Sequence, residues 1–228
     1  MYVTSAKSIT ENVDFPALMA FDDATGKYSQ IRSLQSGQSL FCEGDDAGLV
    51  YQVIEGVVRT CKVLRNGRRQ ILSFGYPGDI VGLSHDGFYH SDCDAVCDVK
   101  VQILRKNARG AIFDNDPDLA DRLLRYAAAE VINMQEHFLM LGRKSASEKI
   151  ASFLVALLDR VGVMQDSKTC FDLPMNRSDI ADFLGLTIET VSRTLTKLRK
   201  AGIIDLPAPH RVCVCKVEAL RNLVESEN

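Results

Sequence analysis

The stretch from Arg177 to Leu198 admits few folds. Ile180, Ala181 and Leu184 put an apolar stripe on one short helix. Gly185 then stops it, because the left-handed conformation beyond a helix end suits a residue without Cβ. Leu186 packs the turn, and Thr187 opens a second helix by accepting from its first free amides. Val191, Leu195 and Leu198 recur at spacings of four and three and face inward, which leaves Glu189, Ser192, Arg193 and Thr196 on the outside. A helix-turn-helix with arginine, glutamate and small hydroxyls on its free face is suited to a DNA major groove. The same pattern also fits an ordinary helical hairpin with a solvated charged face, so the rest of the chain has to decide.

Charge is the first test. The chain of 228 residues carries a net charge of −3, the wrong sign for a DNA binder taken whole. Residues 141–228 hold 13 Lys+Arg against 11 Asp+Glu, net +2, and residues 1–140 hold 14 against 19, net −5. Residues 187–200 set Glu189 against Arg193, Lys197, Arg199 and Lys200, net +3. Positive charge therefore collects where phosphates would lie. No run approaches the roughly 18–20 apolar residues of a membrane span, and the N-terminus has no basic, hydrophobic secretory segment. Seven cysteines without such a signal predict free thiols in a reducing cytoplasm. The chain has no nucleophile–base constellation, no HExxH and no phosphate-cradling glycine loop, so an enzyme is not expected.

Taken in order, the chain changes period. Residues 1–27 form a weakly patterned arm with Phe15, Leu18, Met19 and Phe21 as anchors. Over 28–115, short β-rich runs punctuated by Gly37, Gly44, Gly56, Gly78 and Gly82 predict an antiparallel β-roll of the jelly-roll kind. Asn66-Gly67 predicts a hairpin with positive φ at both central residues. Beyond Pro117, Ala120, Leu124, Ala127, Val131, Met134, Phe138 and Leu141 recur at spacings of 4, 3, 4, 3, 4 and 3. Such a heptad seam predicts a long dimerisation helix over 116–142, paired with its copy in a second subunit; burial against the same chain's roll is the alternative. Gly142 to Lys144 is the expected hinge, and Ser145-Ala146-Ser147-Glu148 a capping box opening the next helix. Within 143–228, a strand pair should span Gly162 to Pro174. Asn176 should cap the first helix of the motif, with Asp179 in the reciprocal position. Ile203 to Cys215 should then form a β-hairpin wing with His210 and Arg211 at its tip. The expected class is α+β: N-terminal β-roll, long helix, C-terminal winged helix-turn-helix.

That order of parts resembles the CRP/FNR superfamily of bacterial transcription regulators over roughly residues 28–215. The residues that carry the resemblance are the glycine-punctuated roll, with Pro77-Gly78-Asp79-Ile80, and above all the run Asp179 to Arg193. Glu189, Ser192 and Arg193 look like the FNR-type recognition helix; the CRP type has arginine before the glutamate and glycine before the second arginine, where this chain has Ile188 and Ser192. The resemblance implies a cytoplasmic homodimer that binds a palindrome like TTGA–N6–TCAA, activates transcription and contacts RNA polymerase. Arg193 would read guanine, Glu189 would accept from cytosine and steady Arg193 one turn away, and Ser192 would contact thymine. Arg177, Thr187, Thr190, Lys197 and Arg211 would meet the DNA backbone.

The expected sensor chemistry is thinner. Cyclic-nucleotide binders of the family hold phosphate with an Arg-Ser pair after the Gly-Asp turn, but here Gly82 to Asp92 has no arginine, and Asp86 and Asp92 would repel an anion. FNR holds an iron–sulfur cluster on cysteines of its N-terminal arm, whereas the first cysteine here is Cys42. Cluster-free relatives of the FixK type, which govern low-oxygen and nitrogen-fixation genes, fit better, so no cofactor or metal is assigned. His85, His90, Cys93 and Cys97 have ligand-type side chains, but Cys93 and Cys97 read as buried strand residues. Cys213, beside Arg211, is the candidate redox thiol. The alternative to an ungated regulator is therefore one of the same family gated by a ligand or by oxidation through an unidentified effector.

Overall fold

The computed structural model describes residues 30–105, 117–165 and 168–225. The arm expected over residues 1–27 lies outside them, as does the side chain of Ala120. The chain divides into two compact units, one of Met1–Lys62 with Leu72–Ala129 and one of Val63–Ile71 with Glu130–Asn228.

Residues 30–105 form two four-stranded antiparallel sheets, the β-roll that the glycine spacing predicts. One runs in the order β1 (Gln30–Leu34), β8 (Val99–Arg105), β3 (Leu49–Glu55), β6 (Ile80–Val81). The other is β2 (Ser39–Phe41), β7 (Asp92–Ala95), β4 (Val58–Val63), β5 (Arg69–Gly75). Alternation decides which face is buried: in β7, Cys93 and Ala95 turn inward while Asp92 and Asp94 stay partly exposed. Leu34, Phe41, Tyr51, Val53, Val101 and Ile103 join them in the core between the sheets. Cys93 is fully buried, which pushes its thiol far above the ordinary range, with Asp94 and Cys61 adding to the effect. The Val57 amide donates to Cys97 Sγ at 3.3 Å. Both cysteines are thus part of the packing of the roll, and Cys97 lies just beyond the strand that was expected to contain it.

The Asn66-Gly67 hairpin forms with a different turn from the one expected. The Gly67 amide donates to Leu64 O at 2.8 Å and the Leu64 amide to Arg68 O at 2.8 Å, so three residues make the loop. Gly67, at φ +78°, is its left-handed residue, and Asn66 Oδ1 accepts from the Arg68 amide. The left-handed residue follows the turn rather than sitting inside a two-residue one.

Helix α1 (Pro117–Arg143) has 27 residues, which makes it about 40 Å long at 1.5 Å per residue. It runs one residue past Gly142, which the periodicity placed at its end. Within the first unit, Tyr126 on this helix is buried, and its hydroxyl donates to Ile80 O at 2.9 Å and accepts from the Ile80 amide at 3.1 Å. Tyr126→Phe would strand two backbone groups away from water, so we expect it to cost about 1–3 kcal/mol in chemical denaturation with the fold retained. The seam residues point elsewhere. Leu124, Ala127, Val131, Met134 and Phe138 are exposed and Leu141 is half-buried, so burial of this stripe within its own chain is not what the structure contains.

In the second unit, Ser145 and Glu148 form the expected capping box at the start of α2 (Ala146–Val161). Ile150, Phe153, Leu154 and Leu157 line the buried side of that helix, as its periodicity predicts. A four-stranded sheet follows in the order β11 (Ile204–Ala208), β12 (Arg211–Val214), β10 (Lys168–Asp172), β9 (Val163–Gln165). It combines the expected strand pair with the expected wing. The C-terminal segment forms helix α5 (Val217–Glu225), with Leu220 fully buried and Arg221 bridging to Asp159 of α2. Among the described residues, no helix is long and apolar enough to cross a membrane.

Candidate nucleic-acid interface

The two helices of the motif are α3 (Arg177–Leu184) and α4 (Ile188–Lys200). Asn176 caps α3 by accepting from the Asp179 amide at 2.8 Å. Gly185 ends it at φ +61° and ψ +43°, and the Leu186 amide reaches back to Ala181 O at 3.0 Å. Thr187 caps α4, its Oγ1 accepting from the Thr190 amide at 3.2 Å and meeting the Thr190 hydroxyl at 3.0 Å. Each cap is local, and each is where the sequence predicts it.

Burial on α4 sorts its residues into two faces. Val191, Leu195 and Leu198 are buried as expected, and Thr194 joins them, a position that the apolar pattern alone does not reveal. Glu189, Ser192, Arg193, Thr196, Lys197, Arg199 and Lys200 are exposed. Ser192, Arg193, Thr196, Lys197 and Lys200 line one open hollow along the helix. Among the described residues, no hydrogen bond or ion pair holds the Arg193 guanidinium. The Glu189 carboxyl turns back to its own amide and to the Thr187 hydroxyl, and these lower its pKa, with the charge of Arg193 adding a little. Glu189 is thus held at the helix N-terminus, and its relation to Arg193 is one of charge alone.

The other candidate backbone residues differ in availability. Lys197 and Thr187 are exposed. Arg177 is half-buried; desolvation lowers its pKa, and its Nη1 is buried with no hydrogen-bond partner among the described residues. Arg211 is already engaged, donating to Asp172 Oδ1 at 3.0 Å and Gln165 Oε1 at 2.7 Å. His210 Nδ1 lies 3.3 Å from Leu173 O.

Two features were not foreseen. Asp179 does not complete a capping box. Its carboxylate is 1% exposed and pairs with Arg69 Nη2 at 2.6 Å, while Arg69 Nη2 and Nε reach Asp182 Oδ2 at 2.8 and 3.0 Å. Gln70 Nε2 adds a bond to Asp182 O at 2.7 Å. Burial alone would lower the pKa of the guanidinium; its bonds to Asp182 and Asp179 outweigh that and raise it. The residues of the 63–71 segment therefore brace α3 from behind the motif.

Cys213 is the second. It is not an isolated thiol acidified by Arg211 but is bonded to Cys170, which also corrects the expectation that all seven cysteines are free. The two stand directly opposite in the β10–β12 register, with Cα atoms 4.0 Å apart. Cys42, Cys61, Cys93, Cys97 and Cys215 are thiols outside any disulfide.

One titratable group packs under α3. The His137 ring stacks on Phe183 with centroids 4.2 Å apart, and desolvation followed by the charge of Lys149 lowers its pKa. A base whose pKa is lower folded than unfolded takes up protons on unfolding. Its contribution is complete above about pH 6.5, the unfolded value, and declines as pH falls towards the folded one. We expect the melting temperature of the protein to fall below that pH, and His137→Phe to lose part of this acid sensitivity in differential scanning calorimetry.

Residues 148–223 match the family model of the Crp-like helix-turn-helix domain, and residues 31–116 that of the cyclic nucleotide-binding domain. The chain is 46% identical over 183 residues to the nitrogen fixation regulation protein FixK of Azorhizobium caulinodans, covering 79% of this chain and 74% of that protein. It is 42% identical over 171 residues to FixK of Bradyrhizobium diazoefficiens, covering 75% and 72%. The solved structure of FixK2 from Bradyrhizobium japonicum superposes with a TM-score of 0.79 at 34% identity, covering 88% of this chain and 99% of that one. Both halves match in chain order, and the exposed Glu189–Ser192–Arg193 face lies within the matched helix-turn-helix: the chain belongs to the CRP/FNR family of transcription regulators, in its FixK-like branch.

Proposed function

We propose that the protein is a homodimeric transcription activator that reads a palindrome of the TTGA–N6–TCAA kind and contacts RNA polymerase. The observation that carries this reading is the exposed face of α4, where Glu189, Ser192 and Arg193 stand at the N-terminal end and Lys197, Arg199 and Lys200 follow. Residues near the start of a recognition helix meet base edges, and the basic residues behind them meet phosphates. The exposed apolar seam of α1 supports pairing of two such helices, which a palindrome requires.

Arg193 is assigned to guanine, Glu189 to cytosine and Ser192 to thymine. Lys197, Thr187 and Thr190 are assigned to the backbone, and so are Arg177, which is half-buried, and Arg211, which is already paired with Asp172 and Gln165, so that these two are the lesser contributors. The test is titration of the protein against the full palindrome, a single half-site and a scrambled duplex. Two chains should bind per palindrome, and its affinity should exceed that of the scrambled duplex by about 10³-fold or more. Equal affinity for the palindrome and the scrambled duplex would overturn the reading.

A further inference from the structure

The loop after β6 brings together three side chains that the regulator's DNA-reading face does not use. His85, Asp86 and His90 present one ligand atom each, all within 4.8 Å of one another. The rings of His85 and His90 lie with centroids 5.9 Å apart and planes 21° from parallel. His90 Nε2 is 2.9 Å from Asp86 Oδ1. We propose that His85, Asp86 and His90 form a binding site for a late first-row divalent cation of the Zn2+, Ni2+ or Cu2+ type. Two imidazoles and a carboxylate are the donors such ions prefer, and Mg2+ or Ca2+ would call for oxygen donors instead.

The backbone that carries the three donors is held from several sides. The Ala47 amide donates to Gly87 O at 2.8 Å, the Tyr89 amide to Asp45 O at 3.0 Å, and the Gly44 amide to Tyr89 O at 2.8 Å. Tyr89 is buried against Phe41, with ring centroids 3.9 Å apart, and its hydroxyl donates to Leu49 O at 2.7 Å. His90 therefore follows an anchored residue. Ser84 Oγ donates to Asp86 Oδ1 at 3.0 Å and orients the carboxylate from outside the donor set.

Ligand bonds of about 2.0–2.2 Å place donor atoms of a tetrahedral site roughly 3.3–3.6 Å apart. The Asp86–His90 pair, now hydrogen-bonded at 2.9 Å, would have to open by a few tenths of an ångström, and the three donors, all within 4.8 Å of one another, would close on the ion by rotation of the exposed side chains. Residues 82–92 contain Asp86 and Asp92 and no lysine or arginine, so the local charge favours a cation. Three protein donors leave a fourth position open to water or to an added ligand.

The test uses the untagged full chain, because a polyhistidine tag would supply imidazoles of its own. ZnCl2 is titrated by calorimetry and CoCl2 by visible absorption, each against wild type, His85→Ala, His90→Ala and a Cys42→Ser/Cys215→Ser variant. We expect one equivalent per chain and cobalt bands without thiolate-to-metal charge transfer. Affinity should fall at least about tenfold in either histidine variant, since even outer-shell partners are worth 10–100-fold. The cysteine variant should bind as wild type does. All these side chains are exposed, so the variants should keep the wild-type circular dichroism. The proposal is overturned by any of three results: no saturable binding, unchanged affinity without His85 or His90, or a thiolate charge-transfer band that disappears with the cysteines. None of these depends on DNA binding.

Discussion

Replacing Arg193 with alanine is expected to weaken binding at each half-site of the palindrome by about 1–3 kcal/mol, some 5- to 150-fold, and to relax discrimination at one base pair of each half-site. The size follows from chemistry. A guanidinium pairs with guanine O6 and N7 through two parallel bonds, and no other side chain supplies that fork with a permanent charge. Arg193 is free to do so, being exposed and without a hydrogen bond or ion pair among the described residues. Its loss should leave the melting temperature unchanged, because the buried side of α4 is made by Val191, Thr194, Leu195 and Leu198. Competition binding over a set of operators, each with one base pair changed, reads both effects. Lys197→Ala supplies the contrast. A phosphate contact should weaken all sequences alike and reduce the salt slope by about one. If Arg193→Ala weakened every sequence uniformly, Arg193 would be a backbone contact and the base-reading assignment would move to another residue.

The contrast between Arg193 and Arg69 shows what could be read before the structure. The caps at Asn176 and Thr187, the stop at Gly185 and the capping box at Ser145 and Glu148 are decided by residues within one turn of one another. Short-range chemistry leaves a short-range signature. The outward set on α4 was legible for the same reason, because a helical period converts spacing directly into facing. Arg69 lies 110 residues from Asp179, and nothing beside it in sequence marks it as the partner of a buried carboxylate. Asp179 could be placed near the cap by its position, but its burial depends on which segment packs over α3. Cys170 and Cys213 are 43 residues apart and meet only through strand register. His85, Asp86 and His90 were visible as residue types, yet the sequence grouped His90 with Cys93 and Cys97. The strand buries Cys93 and leaves His90 outside, so one side chain was sent to the core and its neighbour three residues away to solvent.

A loss of comparable size is expected from the seam. A Met134→Glu/Phe138→Glu double variant should be monomeric in sedimentation at concentrations where wild type is dimeric, and its affinity for the palindrome should fall by about 10²–10⁴-fold. Phe138 is 77% exposed in the single chain, Leu124 70%, Met134 68% and Val131 54%, all on one heptad stripe of α1. Each such side chain gains about 1.5–3 kcal/mol when removed from water, so a row of them is enough to pair two helices. Two carboxylates at adjacent seam positions would face their own copies across the interface, where burial and like charge both oppose pairing. Neither side chain belongs to the core of its own chain, so the helical signal in circular dichroism should persist in the monomer. Loss of DNA binding in a folded monomer, with half-site affinity little changed, would then arise from avidity alone. Half-site binding also separates this variant from Arg193→Ala, which should remain dimeric and weaken half-site and palindrome together. A double variant that stays dimeric would place the subunit interface on some other surface and leave the exposed stripe of α1 without the role assigned to it.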